Sequence, residues 1–243
     1  MEPVSSRLHG IERLVPDHEL REKEASGIEA FKLHLERYEF ALRCIAGRTL
    51  VGDIACGSGY GSYVLGDDPA RQLIGVDLSP DAIEYATNRY KRDNIAFVCA
   101  DALQFAFERP FDAIISFETI EHVPRPLQLV HHLTNLIRPG GLLIASVPIT
   151  PSMDANPFHL HDFTESSFLR LFPPQLRRIE SFYQTQPFDP INVTTRAEKR
   201  LVDLRPNLLN YYLLHPNKAF RRIWSTLRDG FNNKYLSVVM EKE

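Results

Sequence analysis

"TLVGDIACGSGYG", residues 49–61, is an apolar run that ends in a carboxylate and then breaks into a glycine-rich loop. Leu50, Val51 and Ile54 read as a short buried strand. Gly57, Gly59 and Gly61 allow a tight turn and a close backbone approach before the chain enters a helix. Junctions of this kind commonly hold a pyrophosphate at the helix N-terminus. Here Asp53 stands just ahead of the loop, where its charge would repel a phosphate. The spacing is Gly-x-Gly-x-Gly, not Gly-x-Gly-x-x-Gly. The loop therefore points to a ligand that carries positive charge.

The same strand-then-helix alternation continues on both sides. Upstream, Ile28, Phe31, Leu35, Tyr38, Leu42 and Ile45 form one helical stripe that stops at Gly47. Downstream, "QLIGVD" (72–77), "IAFVCA" (95–100), "FDAIISF" (111–117) and "GLLIASV" (141–147) are the next four strands. Ser79 and Pro80 suit the cap and first position of a helix in "SPDAIEYATNRYKR" (79–92). "RPLQLVHHLTNLIRPGG" (125–141) is predicted helical, with Pro-Gly-Gly as its stop. Past residue 150, Thr164 and Ser167 have capping-box spacing ahead of a short helix. "LRRIESFYQT" (176–185) and "KYLSVVMEK" (234–242) are the last two strands. The sum is an α/β fold: a doubly wound, mostly parallel, seven-stranded Rossmann-like sheet with helices on both faces. A helical insert, residues 190–230, precedes the last strand. The chain reads as one domain, 1–243, with an N-terminal helical cap (1–47), a cofactor-binding core (48–150) and the insert over an acceptor site.

Composition narrows the function classes. The 243 residues carry 28 Lys and Arg against 31 Asp and Glu, a formal net charge of -3, so no basic surplus calls for nucleic acid. Three scattered cysteines, Cys44, Cys56 and Cys99, suit a reducing compartment. No signal peptide is evident, and no window approaches the ~20 apolar residues of a membrane span. The expectation is a cytoplasmic protein with no membrane partner, and a homodimer is compatible with the sequence.

Two more acids define the ligand. Asp77 closes the second strand, 20 residues beyond Gly57, the interval expected for an acid that holds ribose hydroxyls. Asp101 closes the third. Carboxylates at three strand ends, on the rim where open α/β sheets bind ligands, describe a cationic nucleoside. S-adenosylmethionine fits, because it has an ammonium, a sulfonium and a ribose, and no phosphate.

On these motifs residues 49–147 resemble the core of a class I S-adenosylmethionine-dependent methyltransferase. The resemblance implies that Asp53, Gly57 and Gly59 line the methionine end and that Asp77 holds the ribose with Leu78 against the adenine. It further implies that Asp101 meets the adenine amino group, that Ala102 offers its backbone N–H to the ring, and that Phe117 lies near the methionine. Ala55 stands where the family's first loop glycine is usual. "ERYEF" (36–40) is similar to an N-terminal helix that covers the cofactor in some members, which would pair Arg37 with the methionine carboxylate. A solvated helix face is the alternative for Arg37.

The acceptor side is read from "ETIEHV" (118–123) and "NPFHLHDF" (156–163). Glu118, Glu121, His122 and His159 resemble the metal set of small-RNA 2′-O-methyltransferases, and a similar run occurs in ubiquinone-pathway O-methyltransferases. The other reading is an acid–acid–His run that braces its loop, and on it no metal is assigned. The second segment is most similar to methyltransferases acting on sugars and small metabolites, which assigns His159 as the catalytic base, with His161 pointing away. The insert interleaves basic residues with Tyr211, Tyr212, Phe220 and Trp224, a mix that suits nucleic acid or an anionic or sugar substrate, an amphipathic cover with a solvated face, or a dimer contact, and the cover is the reading adopted. The expected activity is methyl transfer from S-adenosylmethionine to a hydroxyl of a small metabolite or glycan, releasing S-adenosylhomocysteine. The alternatives are metal-assisted RNA 2′-O-methylation and a non-catalytic S-adenosylmethionine-binding interaction protein.

Overall fold

The apolar stripe that begins at Ile28 forms α1 (Ala25–Cys44), and Gly47 turns the chain with a φ of 74°. The protein is described here by a computed structural model covering residues 25–154, 156–190 and 207–243. The elements then run β1 (Leu50–Ile54), α2 (Tyr60–Leu65), β2 (Gln72–Asp77), α3 (Pro80–Arg89), β3 (Ile95–Cys99) and β4 (Phe111–Phe117). They continue with α4 (Pro126–Asn135), β5 (Ile137–Pro148), α5 (Glu165–Leu169), β6 (Leu176–Pro187), α6 (Leu208–Leu214), α7 (Pro216–Asp229) and β7 (Asn232–Lys242).

The seven strands form one sheet in the order β3-β2-β1-β4-β5-β7-β6. β1 to β5 pair in parallel, and β7 runs antiparallel between β5 and β6. The order reverses between β1 and β4, which opens a crevice at their C-terminal ends, the usual ligand position in such sheets. Because both faces are covered, the central strands are apolar on both. Ala113, Ile115 and Phe117 of β4 pack with Tyr38, Phe40 and Ala41 of α1. Ile114 packs instead with Leu129, Val130 and Leu133 of α4.

Local chemistry explains the helix starts. The Ser79 hydroxyl accepts from the Ala82 N–H, and Pro80 occupies the first turn of α3. Thr164 and Ser167 make both bonds of a capping box at α5, with Ser167 in the position usually held by Glu or Gln.

One predicted boundary is corrected. The Pro-Gly-Gly stretch does not stop α4, which ends at Asn135. It lies inside β5, where the ladder with β4 passes from Phe111–Ile137 to Ala113–Leu142. The extra residues bulge out, with Gly140 at a φ of 71°. Pro and Gly are as suited to a bulge as to a helix stop.

Gly61 shows how the N-terminal helix is seated. A Cβ there would overlap the Tyr38 ring. Gly61→Ala is expected to push α1 off the sheet, at about 1–3 kcal/mol for overpacking. For a chain of this size that lowers the melting temperature by roughly 2–4 °C per kcal/mol. A thermal melt equal to the parent's would show that α1 is not held this way.

Candidate functional site

The glycine loop leaves the end of β1 beside Asp53, which is fully buried. Its Oδ2 accepts from the Ser62 hydroxyl at 2.6 Å and its Oδ1 from the Tyr38 hydroxyl at 3.3 Å. Burial pushes the Asp53 carboxyl up to about 7, against the pull of those two bonds. Next, Ala55 adopts a φ of 63°. That left-handed conformation costs a residue with a Cβ roughly 1–2 kcal/mol, which explains why glycine is usual here.

The three glycines have three different reasons. Gly57, with a φ of 56°, would point a Cβ into open space, so its lack of a side chain leaves room for a ligand. Gly59, with a φ of 84°, sits so close to α3 and β3 that a Cβ would lie 2.5 Å from Ala86 and 2.9 Å from Phe97. Gly61 accommodates Tyr38.

Asp77 ties this loop to the next helix. Its Oδ2 accepts from the Gly57 N–H and its Oδ1 from the Ser79 N–H, each at 2.9 Å. Leu78 follows, 69% exposed at the rim. Asp101 lies just past β3 and shapes its own turn. There Oδ1 accepts from the Leu103 N–H at 2.9 Å and Oδ2 from Gln104 Nε2 at 3.2 Å. Ala102 beside it is half-buried. Phe117, at the end of β4, is buried edge-on against Tyr38 with ring centroids 5.2 Å apart.

Arg37 is not on a solvated face, for only 1% of it is exposed. Its Nε donates to Gln184 Oε1 at 2.6 Å, and its guanidinium lies 4.5 Å from the centre of the Tyr235 ring. Nη1 is 3.4 Å from Glu118 Oε1 and makes no hydrogen bond, although it is buried. Glu118 itself follows β4 with a φ of 48° and accepts from the Ser146 hydroxyl at 2.9 Å. Burial raises the Glu118 carboxyl above its ordinary range, with Arg37 opposing. A strained residue at a strand end fits a functional rim.

A second cluster lies where the loop after β4 meets the segment after β5. The Glu121 carbonyl accepts from the N–H groups of Leu160 and His161, which joins the two loops. His122 Nδ1 lies 3.1 Å from the Phe158 carbonyl, and His159 Nδ1 lies 2.7 Å from the Ser152 hydroxyl. The two imidazoles meet edge-to-face at 4.6 Å. Glu121, His122 and His159 each bring one ligand atom within 4.8 Å of the others, a set that could hold a divalent cation. Glu118 faces Arg37 and Ser146 instead. His161 Nε2 is 3.0 Å from the Val123 carbonyl and braces the loop. Burial, with His122 alongside, takes the His159 imidazole down to about 3, so it is neutral at working pH.

The sequence did not reveal the supporting residues. Tyr38 and Ser62 hold Asp53, Gln184 holds Arg37, Ser146 holds Glu118 and Ser152 holds His159. Tyr38 sits within the "ERYEF" stretch that already drew notice, whereas Gln184 lies in a strand with no motif.

The strand order and the acids around a glycine loop resemble those of a class I S-adenosylmethionine-dependent methyltransferase core. Residues 52–145 match the family model described as a methyltransferase domain. A probable S-adenosylmethionine-dependent methyltransferase of Mycolicibacterium smegmatis is 30% identical over 58% of this chain and 56% of its own. A ubiquinone biosynthesis O-methyltransferase of Cereibacter sphaeroides is 36% identical over 39% of each chain. The chain thus spans little more than half the length of the first of these relatives. The solved structure of YcgJ from Bacillus subtilis shares the fold with a TM-score of 0.65 at 17% identity, over 86% of this chain and 99% of that one.

The residues present fit S-adenosylmethionine. The buried, hydrogen-bond-free Nη1 of Arg37 suits a carboxylate, and the open space at Gly57 suits a ligand lying against the loop.

Proposed function

We propose that the protein transfers the methyl group of S-adenosylmethionine to a hydroxyl of a small metabolite or glycan. The observations that carry this reading are the buried Asp53 that Tyr38 and Ser62 hold at the glycine loop and the buried Arg37 whose Nη1 makes no hydrogen bond. Arg37 would bind the cofactor's carboxylate, Asp53 its ammonium end, and Asp77 its ribose. Leu78, Asp101 and Ala102 would receive the adenine, and Gly57, Gly59 and Ala55 would shape the loop beneath. Phe117 would wall the methionine side. When bound, S-adenosylmethionine supplies a methyl already activated by its sulfonium, so the chain's own work is to position, to exclude water and to take a proton.

His159 is the proposed proton acceptor. With Nδ1 against Ser152, Nε2 is the nitrogen that would take the hydroxyl proton. The burial that keeps the imidazole neutral also weakens it as a base, which puts its contribution at the lower end of the usual ~10²–10⁴-fold. His159→Ala is therefore expected to lower kcat about 100-fold while cofactor affinity holds, and His161→Ala to have a smaller effect. Turnover in the variant at the parental rate would place the base elsewhere.

A second reading has its own observation, the convergence of Glu121, His122 and His159. There a divalent cation would orient the acceptor hydroxyl and lower its pKa. Chelation separates the two. Full activity in a chelator supports the metal-free base, and loss restored by Mg²⁺ or Mn²⁺ supports the cation.

Asp53 gives a pH prediction. Its folded pKa, about 7, lies above the ordinary 3.8. Its contribution to stability is therefore full at low pH and is lost as pH rises through about 7. Cofactor binding has the opposite sign, because an ammonium beside Asp53 favours the ionised form. S-adenosylmethionine should bind more weakly as pH falls from 8 to 6, with proton release on binding near pH 6. Calorimetry in two buffers of different ionisation enthalpy measures that release. No released proton would remove Asp53 from the ammonium.

A further inference from the structure

Gln184 lies in β6, which carries no motif, yet it is buried and its whole amide is engaged. Nε2 donates to the Leu33 carbonyl at 2.9 Å and to Glu36 Oε2 at 2.8 Å, and Oε1 accepts from Arg37 Nε at 2.6 Å. The amide can sit only this way round, because the reverse would set its N–H groups against Nε and its carbonyl against two oxygens. The guanidinium is held from β7 as well. Its carbon lies 4.5 Å from the centre of the Tyr235 ring, and the Tyr235 hydroxyl donates to Gln186 Oε1 at 2.9 Å. Gln184 and Gln186 share one face of β6, as side chains two apart on a strand do.

A donor of Arg37 is left over. Nε is committed to Gln184, whereas the buried Nη1 makes no hydrogen bond. Glu118 Oε1 is 3.4 Å away but accepts from the Ser146 hydroxyl instead. A buried cationic donor without a bond is costly, so an anionic oxygen that reaches it would be held well. The surroundings suit a ligand at the strand ends. Glu118 directly follows β4, and the Arg37 charge is felt at the buried Tyr60 hydroxyl, which opens α2 just after the glycine loop.

We propose that Gln184 is a positioning residue for cofactor binding, which fixes the Arg37 guanidinium so that Nη1 is presented to the carboxylate of S-adenosylmethionine. The proposal rests on the assignment of Arg37 to that carboxylate. Gln184 itself touches no reacting group and acts through Arg37. Ordering a long side chain costs conformational freedom, and Gln184 and Tyr235 complete that ordering before the ligand arrives. The bonds from Gln184 to Leu33 and Glu36 do something separate, for they seat α1 against β6. A strand at the edge of the sheet thereby contributes to a site at the ends of the central strands.

Titration calorimetry with two ligands separates positioning from seating. One ligand is S-adenosylhomocysteine, and the other is its decarboxylated analogue, which keeps the adenosine, the thioether and the amine. The parent should prefer the first. Gln184→Met keeps the length of the side chain without its amide, and Gln184→Leu replaces it if the methionine variant does not fold. Either should lose about tenfold in affinity for S-adenosylhomocysteine, the lower end for a bond to a charged group because the effect is indirect. The analogue should bind the variant and the parent alike. Glu36→Ala removes one seating bond but leaves the one to Arg37, so it should keep the parental preference. Equal weakening of both ligands in the Gln184 variant, or a preference lost as fully in Glu36→Ala, would reduce Gln184 to a seat for α1 and overturn the proposal. A preference lost in Arg37→Leu but kept in the Gln184 variant would overturn it while leaving Arg37 on the carboxylate. Equal affinity of the parent for the two ligands, or an undiminished preference in Arg37→Leu, would remove Arg37 from the carboxylate and the proposal with it.

Discussion

Asp77→Ala is expected to weaken S-adenosylmethionine binding about 100-fold. Hydrogen bonds to a charged group contribute ~1.5–3 kcal/mol, or roughly ten- to a hundredfold in affinity. The upper end applies because this carboxylate has two tasks. One is the proposed grip on the ribose hydroxyls. The other is visible directly, for Asp77 holds the Gly57 N–H and the Ser79 N–H and so fixes the loop against the start of α3. Removing it loosens the floor of the site as well as a ligand contact. Asp77→Asn keeps one acceptor oxygen and should lose less. Calorimetric titration of the three proteins tests the ranking, and equal affinities would detach Asp77 from the cofactor.

Arg37→Leu is expected to damage both the fold and the site. Arg37 joins α1 to β6 through Gln184, to β7 through Tyr235 and to the end of β4 through Glu118. Breaking a buried pair by removing one partner commonly costs ~3–5 kcal/mol. Here protonation of Glu118, whose carboxyl is already raised, should relieve part of that. A loss of about 2–3 kcal/mol corresponds to a melting temperature lower by roughly 5–10 °C. The cofactor would also lose the partner proposed for its carboxylate. The increase in melting temperature on adding S-adenosylmethionine should therefore shrink in the variant. Arg37→Lys keeps the charge but not the fork that reaches Gln184 and the crevice together. A variant that melts lower yet gains as much from the cofactor would leave Arg37 a purely structural role.

Much of the sheet could be read from the chain because buried parallel strands are short apolar runs with polar or glycine borders. Phe111–Phe117 was bounded in this way, and the acids at the ends of β1 and β2 fell on the rim because strand ends do. The chemistry of the Pro-Gly-Gly stretch serves a helix stop and a bulge equally well, so its place inside β5 is not legible from its residues alone. Arg37 could not be placed by pattern alone. Its neighbours in space, Gln184 and Tyr235, are supplied by two strands far along the chain. The insert taught the same lesson in reverse. Periodicity shows that α7 has two faces, but not which one turns inward. The solvated face expected for it is the apolar one, because Asp154 and Asp162 draw the basic residues in. Residues 191–206 of that insert, and 1–24 of the N-terminal cap, lie outside the described residues.

The central claim is that the crevice beside the glycine loop binds S-adenosylmethionine, and titration calorimetry of S-adenosylhomocysteine into the parent protein at pH 8 tests it most directly. The account predicts saturable binding at one site, weaker at pH 6 with a proton released, and weaker again in Asp77→Ala. No heat and no rise in melting temperature at millimolar ligand would contradict it.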